Sequence, residues 1–199
     1  MKKRVFVPIL AILIAAAVLF AVAAGLSGVG SANAQKAHLE MMQLLLPGSE
    51  SFTREAYDGD DANILSVHKA EEGYVIETCT YGYASEITML IGVNNDGRVT
   101  GLVVRDMEET FGLGAEALTD HVFLAQFLNK DAAFAVKTSG EDAFSGATGE
   151  SAEPAGDEVQ VDAITGATVT SKAIVRCVNS AVGYVTGADI DSGATSWGG

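Results

Sequence analysis

The chain has 199 residues, 48% of them hydrophobic and 19% charged, with 26 acidic and 12 basic side chains and a formal net charge of −14. That length suits one domain with attachments and a sizeable core. Three of the basic residues, Lys2, Lys3 and Arg4, crowd the N-terminus and leave −17 on the remainder, which argues against nucleic acid and against electrostatic adhesion to anionic lipid.

Val5 to Ala24 is an uncharged run of twenty residues, "VFVPILAILIAAAVLFAVAA". As a helix it spans roughly 30 Å, the hydrocarbon thickness of a bilayer. Pro8 falls in its first turn, where a missing N–H costs little. The Lys-Lys-Arg cluster holds the N-terminus in the cytoplasm, so the rest of the chain is extracytoplasmic. A signal peptide cleaved after Ala34, at the small-x-small "ANA", is the alternative, although signal h-regions are usually shorter, about 7–15 residues. The division is therefore residues 1–34 as cytoplasmic stub, anchor and linker, and 35–199 as the extracytoplasmic domain.

"AHLEMMQLLLP" reads as a helix with Leu39, Met42, Leu45 and Leu46 on one face and Pro47-Gly48 at its end. "GSESFTREAYDGDDAN" is polar and loop-like; its "DGDDAN" lacks the central Gly and closing Glu of a calcium loop, and no metal site is assigned. "NILSVHKA" and "GYVIETCTY" are strands, and "EITMLIGV" and "RVTGLVVRD" flank the hairpin turn "NNDG". A Gly-containing loop, "MEETFGLGAEAL", leads to a helix around Asp120–Asn129. "AAFAVK" is a short strand, and residues 138–157 form a low-complexity insertion with five acids and no base. "EVQVDAI" is a further strand. Ile174, Val178, Ala181, Val182 and Val185 then trace a helical stripe that ends before Gly187. The order predicts an α+β fold: a mostly antiparallel sheet with flanking helices, preceded by one N-terminal transmembrane helix. Cys79 and Cys177 fit small buried hydrophobes better than a disulfide. His38, His68 and His121 have no ligand spacing.

Three segments share Asp-x-x-(Ser/Thr)-Gly-Ala-Thr: "DAFSGAT" ending at Thr148, "DAITGAT" ending at Thr168, and "DIDSGAT" ending at Thr195. Thr168 stands where a strand hands over to a helix. Helix-start amides lack intrahelical partners, and the macrodipole adds positive charge there. A phosphate on the Thr168 hydroxyl would meet the amides of Val169, Thr170 and Ser171. Gly166 and Ala167 leave the backbone accessible to a bulky group, and Asp162 offers a carboxylate that can orient the chain or bind a metal ion. The same residues also read as a plain helix start, with Thr168 or Thr170 as N-cap and Gly166 serving the turn. Thr148 precedes "GESAEPAGDE", which cannot start a helix, and Thr195 precedes only "SWGG".

"DAITGATVTSKAI" resembles the flavinylation motif of FMN-binding domains in the G subunit of the Rnf electron-transport complex and in the C subunit of the sodium-pumping NADH:quinone reductase. "LLLPG", "YGYASEITMLIGVNNDGRVTGLVVRD", "EETFGLG" and the single N-terminal apolar segment follow in the order of the Rnf protein, so the resemblance covers nearly the whole chain. It departs at Phe111, where the family usually has Pro, and in the 138–157 insertion. In that family a flavin transferase moves FMN from FAD onto the last Thr of the motif as a phosphoester. The resemblance therefore implies covalent FMN on Thr168, with Asp162, Thr165, Gly166 and Ala167 as recognition sequence and Val169 and Thr170 beside the phosphate. It also puts Glu108, Glu109 and Thr110 near the flavin, residues that by themselves read as a solvated loop.

The implied function is an anchored flavoprotein subunit of an Rnf-type ion-translocating complex. It would relay electrons through FMN with other membrane subunits, and would be an electron carrier, with no catalytic side chain of its own. A stand-alone anchored FMN carrier serving an extracellular acceptor or reductase is the neighbouring alternative. A cofactor-free anchored adaptor domain is the alternative of another class.

Overall fold

The computed structural model describes residues 33–107, 120–137 and 158–188. The Val5–Ala24 run, Glu108, Glu109, Thr110 and the rest of the "ETFGLG" loop, the 138–157 insertion with Thr148, and Thr195 all lie outside the described residues. Among the described residues no helix is long and apolar enough to cross a membrane.

The chain divides into two units, Met1–Met41 and Met42–Gly199. Helix α1 covers residues 33–45. Of the first unit only its helical residues 33–41 are described, with an exposed Lys36–Glu40 pair at 3.7 Å. The second unit holds a five-stranded antiparallel sheet: β1 (Thr53–Glu55), β2 (Ile64–Lys69), β3 (Gly73–Tyr81), β4 (Glu86–Asn94) and β5 (Val99–Met107), in that spatial order. Beyond it come a short helix α2 (His121–Ala125), strands β6 (Phe134–Lys137) and β7 (Val159–Asp162), and a long helix α3 (Thr168–Thr186).

The sheet bears out the antiparallel expectation, with two differences. β1 forms where the sequence reads as loop: Thr-Arg-Glu has no apolar alternation, and edge pairing of Thr53 with Lys69 and Glu55 with Val67 creates the strand. β6 and β7 do not join the main sheet. They pair with each other in parallel, Phe134 opposite Val159 and Lys137 opposite Asp162. Residues 138–158 between them exceed the roughly dozen residues that a parallel return requires.

Alternation along β4 sends Ile87, Met89, Ile91 and Val93 to the inner face, where they meet Ile174, Cys177, Val178, Ala181 and Val182 of α3. Each aliphatic side chain buried there contributes about 1.5–3 kcal/mol. Phe123, Phe127 and Phe134 close one side of this core through edge-on contacts at 5.5 and 5.1 Å. At the other end of α3, Tyr184 stands edge-on to Tyr57 at 5.9 Å and to Tyr74 at 5.6 Å. The hairpin between β4 and β5 turns at Gly97 (φ +83°) and is braced by the Asn94 side chain, which accepts from Asp96 N and Arg98 N. α3 ends as the sequence predicts, at Gly187 in the left-handed region, whose N–H reaches Gly183 O.

On the outer face the end of α1 buries Met42 and Leu45, and Leu46 just after it is buried as well. Gly92 and Gly101 face each other across β4 and β5, and both lie under the Leu45 backbone. A Cβ on Gly92 would stand 2.2 Å from the Leu45 carbonyl oxygen. The Thr100 hydroxyl donates to that same oxygen.

The two cysteines are free. Thr80 points inward, donating to Ala173 O at 3.0 Å and lying 3.4 Å from Cys177 Sγ. Its neighbour Cys79 therefore projects from the opposite face of β3, so no disulfide forms. Burial pushes the Cys177 thiol up to about 11 from 9.0, with the Thr80 hydroxyl working in the opposite direction. Its protonated form suits the fold, so this contribution is complete below pH 9 and is lost as pH rises towards 11.

Two outcomes follow for the fold. Gly92→Ala should cost about 1–3 kcal/mol in urea denaturation, because backbone atoms have to move. Iodoacetamide at neutral to mildly alkaline pH should alkylate half-buried Cys79 in the native protein and reach Cys177 only after unfolding; equal native rates would contradict the packing of α3.

Candidate functional site

The segment from Asp162 to Thr168 leaves the parallel strand pair and enters α3. Ala167 N donates to Ile164 O at 2.9 Å, closing a four-residue turn with Thr165 and Gly166 at its tip. Gly166 has φ +79°, the value demanded at the third position of a type II turn. Both tip residues are exposed.

The cap differs from the simple helix-start reading. The N-cap position is held by Ala167, with no side-chain cap hydrogen bond, and Thr168 is already the first helical residue. Neither Thr168 nor Thr170 is the cap. Alanine is a poor N-cap, and the usual Ser, Thr, Asp or Asn there is worth about 1 kcal/mol. The first helical bond runs from Ser171 N to Ala167 O at 2.8 Å. That amide is consequently spent, which removes Ser171 from the expected anion-binding set. The amides of Thr168 and Val169 lie ahead of this bond and have no intrahelical acceptor.

Thr165, Gly166, half-buried Thr168 and Val169, which is 47% exposed, form one accessible corner. Ala167 and Thr170 turn inward, at 5% and 1% exposure, and offer almost nothing at the surface. Asp162 sits at the end of β7, exposed, with a loose ion pair to Lys137 at 3.8 Å. The electrostatics of the corner suit an anion: α3 has no acidic residue in its first turn or anywhere along it, and carries Lys172 and Arg176. Among the described residues neither of these two cations forms an ion pair, although the chain as a whole is acidic.

Two residues that sequence reasoning missed, Gln126 and Asn179, and one that it named only for its amide, Ser171, hold this corner. The Gln126 carboxamide accepts from Asp162 N at 2.8 Å and donates to Asp162 O at 3.3 Å. Asn179, 4% exposed, does the same to Phe134 on the neighbouring strand, at 2.9 Å in both directions. The Ser171 hydroxyl donates to Ala167 O at 2.9 Å and accepts from Ile164 N at 3.2 Å. A serine at i+4 bonding back to a carbonyl is a known helical pattern and was within reach of the sequence. The two carboxamides act across 36 and 45 residues and leave no sequence signal.

Residues 82–183 match the FMN-binding domain family. The chain is 31% identical over 157 residues to the G subunit of the ion-translocating oxidoreductase complex of Methanosarcina acetivorans, covering 74% of each. It is 36% identical over 111 residues to the G subunit of the Na(+)-translocating ferredoxin:NAD(+) oxidoreductase complex of Acetobacterium woodii, covering 55% of this chain and 47% of that one. It thus spans about half the length of the Acetobacterium relative. Among solved structures, the C subunit of the Na(+)-translocating NADH-quinone reductase of Parabacteroides distasonis aligns at TM-score 0.45 and 26% identity, over 60% of both chains.

Gly166→Ala should test the turn. A left-handed backbone costs a side-chain-bearing residue about 1–2 kcal/mol, so chemical denaturation should show a loss of that size, and proteolytic cleavage around Thr165 should become faster.

Proposed function

The chain belongs to the FMN-binding domain family, and on that premise we propose that it is an anchored, extracytoplasmic electron-carrier subunit of an Rnf-type ion-translocating complex, with FMN joined to Thr168 by a phosphoester. The observation that carries this reading is the Thr165–Gly166 turn, which delivers a hydroxyl to the uncapped start of a 19-residue helix free of acidic residues.

The residues present fit the phosphate end of the group. Thr168 supplies the ester oxygen. The amides of Thr168 and Val169 offer donors where the macrodipole is positive. Lys172, one turn further along, is a cation on the exposed side of the helix. Gly166 and Thr165 leave room for a modifying enzyme. Attachment balances without redox change: with FAD as donor, the Thr168 oxygen bonds to the flavin-side phosphorus, the pyrophosphate bond breaks, and AMP leaves with the hydroxyl proton. Once bound, FMN supplies one- and two-electron redox chemistry, and the protein fixes its position and surroundings.

Attachment also suits the compartment, since FMN lost outside the cytoplasm is not recovered. Lys2, Lys3 and Arg4 before the apolar run support an inside N-terminus. The relatives from Methanosarcina and Acetobacterium, each named as part of a complex, support other subunits of such a complex as partners, and the motif supports a flavin transferase for maturation.

Co-expressed with a flavin transferase, the chain should gain the mass of FMN minus water on the peptide containing Thr168. Thr168→Ala should abolish the gain while circular dichroism shows a folded domain; covalent flavin persisting on α3 in that variant would refute the assignment. In intact spheroplasts, external protease should reach the domain, and full protection would overturn the topology.

A further inference from the structure

We infer that Thr195 is a second acceptor for FMN, so that the mature chain carries a flavin on each of two copies of the Asp-x-x-(Ser/Thr)-Gly-Ala-Thr pattern. The inference rests on reading this pattern as an FMN acceptor, as proposed for Thr168.

Around Thr168 the structure separates the residues that the fold uses from those that it leaves alone. Gly166 is needed for its φ of +79°, and Ala167 is 5% exposed in the N-cap position. Ile164 packs against the core, and the buried Ser171 hydroxyl bonds to Ile164 N and Ala167 O. The side chains of Asp162, Thr165 and Thr168 do much less. Asp162 is exposed, and its ion pair with Lys137, at 3.8 Å, is of a kind that adds little to stability. Thr165 is exposed at the tip of the turn, and Thr168 is not the cap.

A segment repeated for the sake of its fold would keep Ile164 and Ser171 and could lose the exposed groups. The C-terminal copy does the reverse. Asp191 stands at the position of Ile164, and Gly198 at that of Ser171. The carboxylate, the first hydroxyl, the Gly-Ala pair and the final threonine all remain, as Asp189, Ser192, Gly193, Ala194 and Thr195. What is lost is what the fold depends on. What is kept includes the three polar side chains for which the fold has little use. Such a selection answers to a molecule that reads the chemistry of the chain, and the flavin transferase proposed for Thr168 is that molecule.

Chain length decides whether Thr195 is a separate site or a substitute for Thr168. α3 is 19 residues long, about 28 Å from end to end. It closes at Gly187, and Gly187 and Ala188 are both exposed, so the chain leaves the helix at the surface. The seven residues from Ala188 to Thr195 reach at most about 25 Å. Thr195 therefore falls short of the start of α3 and cannot take the place of Thr168. It is a second site. The transfer balances as it does at Thr168: the Thr195 oxygen bonds to the flavin-side phosphorus of FAD, the pyrophosphate bond breaks, and AMP leaves with the hydroxyl proton.

The test incubates the full chain with a flavin transferase and excess FAD until loading is complete, counts FMN by intact mass and locates it by peptide mapping. The peptide containing Thr195 should gain FMN minus water, as should the one containing Thr168. Thr195→Ala should remove the first addition and keep the second, and a reductive titration should lose the capacity of one flavin. Asp189→Ala should slow loading at Thr195 and leave loading at Thr168 unchanged. Circular dichroism and melting temperature should not move in either variant, because both positions lie beyond the end of α3. Flavin on Thr168 alone at complete loading refutes the second site and leaves the first standing. Flavin on Thr195 alone keeps this inference and overturns the Thr168 assignment. Flavin on neither threonine removes both.

Discussion

The apolar stripe of α3, from Ala173 to Val182, is buried against the inner face of the antiparallel sheet, and the location of Thr168 follows from that contact. A helix packed along much of its length cannot slide or rotate without exposing several aliphatic side chains, each worth about 1.5–3 kcal/mol. The contact at Thr80, whose hydroxyl reaches the Ala173 carbonyl and the Cys177 sulfur, adds a polar register mark in an otherwise apolar interface. The first turn of the helix is thereby fixed just beyond the buried stripe, where it meets solvent.

That first turn is stabilised from outside the helix. Its N-cap alanine contributes no side-chain hydrogen bond, so the amides of Thr168 and Val169 meet no side-chain cap. The compensation comes from Ser171, one turn inside, and from the carboxamides of Gln126 and Asn179, which hold the strands that lead into it. Carboxamides suit this task because each presents a donor and an acceptor in one plane, matching the N–H and C=O of a single residue. The result is a rigid base under a two-residue exposed tip. Charge follows the same division. The acidic residues that dominate the chain are absent from α3, and the two cations it carries are not neutralised by ion pairs among the described residues.

Local pattern determined much of this protein. Strand patterns located β2 to β5 close to their observed limits, "NNDG" located the hairpin, and the 3.6-residue stripe with Gly187 located α3 and its C-terminal end. Those features depend on neighbours along the chain, and the sequence carries them whole. The motif around Thr168 belongs to the same class: Gly166 had to adopt a positive φ, and a strand-to-helix junction had to follow. Legibility stopped where partners are distant. β1 has no pattern of its own and exists through pairing with β2. The parallel pairing of β6 with β7 depended on a return whose direction composition does not encode. The cap fell to Ala167 rather than to a threonine because the turn, fixed by Gly166 and Ser171, sets which residue is last before the helix.

By itself, then, the sequence determined β2 to β5, the course of α3 and the family to which the chain belongs, because each is written in residues within about one turn or one strand of each other. The tertiary structure alone decided which face Cys79 takes relative to Cys177, that Ala167 and Thr170 are buried while Thr165 and Val169 are exposed, and that Gln126 grips Asp162. These are consequences of packing between segments far apart in the chain. A side chain's exposure and its hydrogen-bond partner depend on what is folded against it, and no local pattern contains that information.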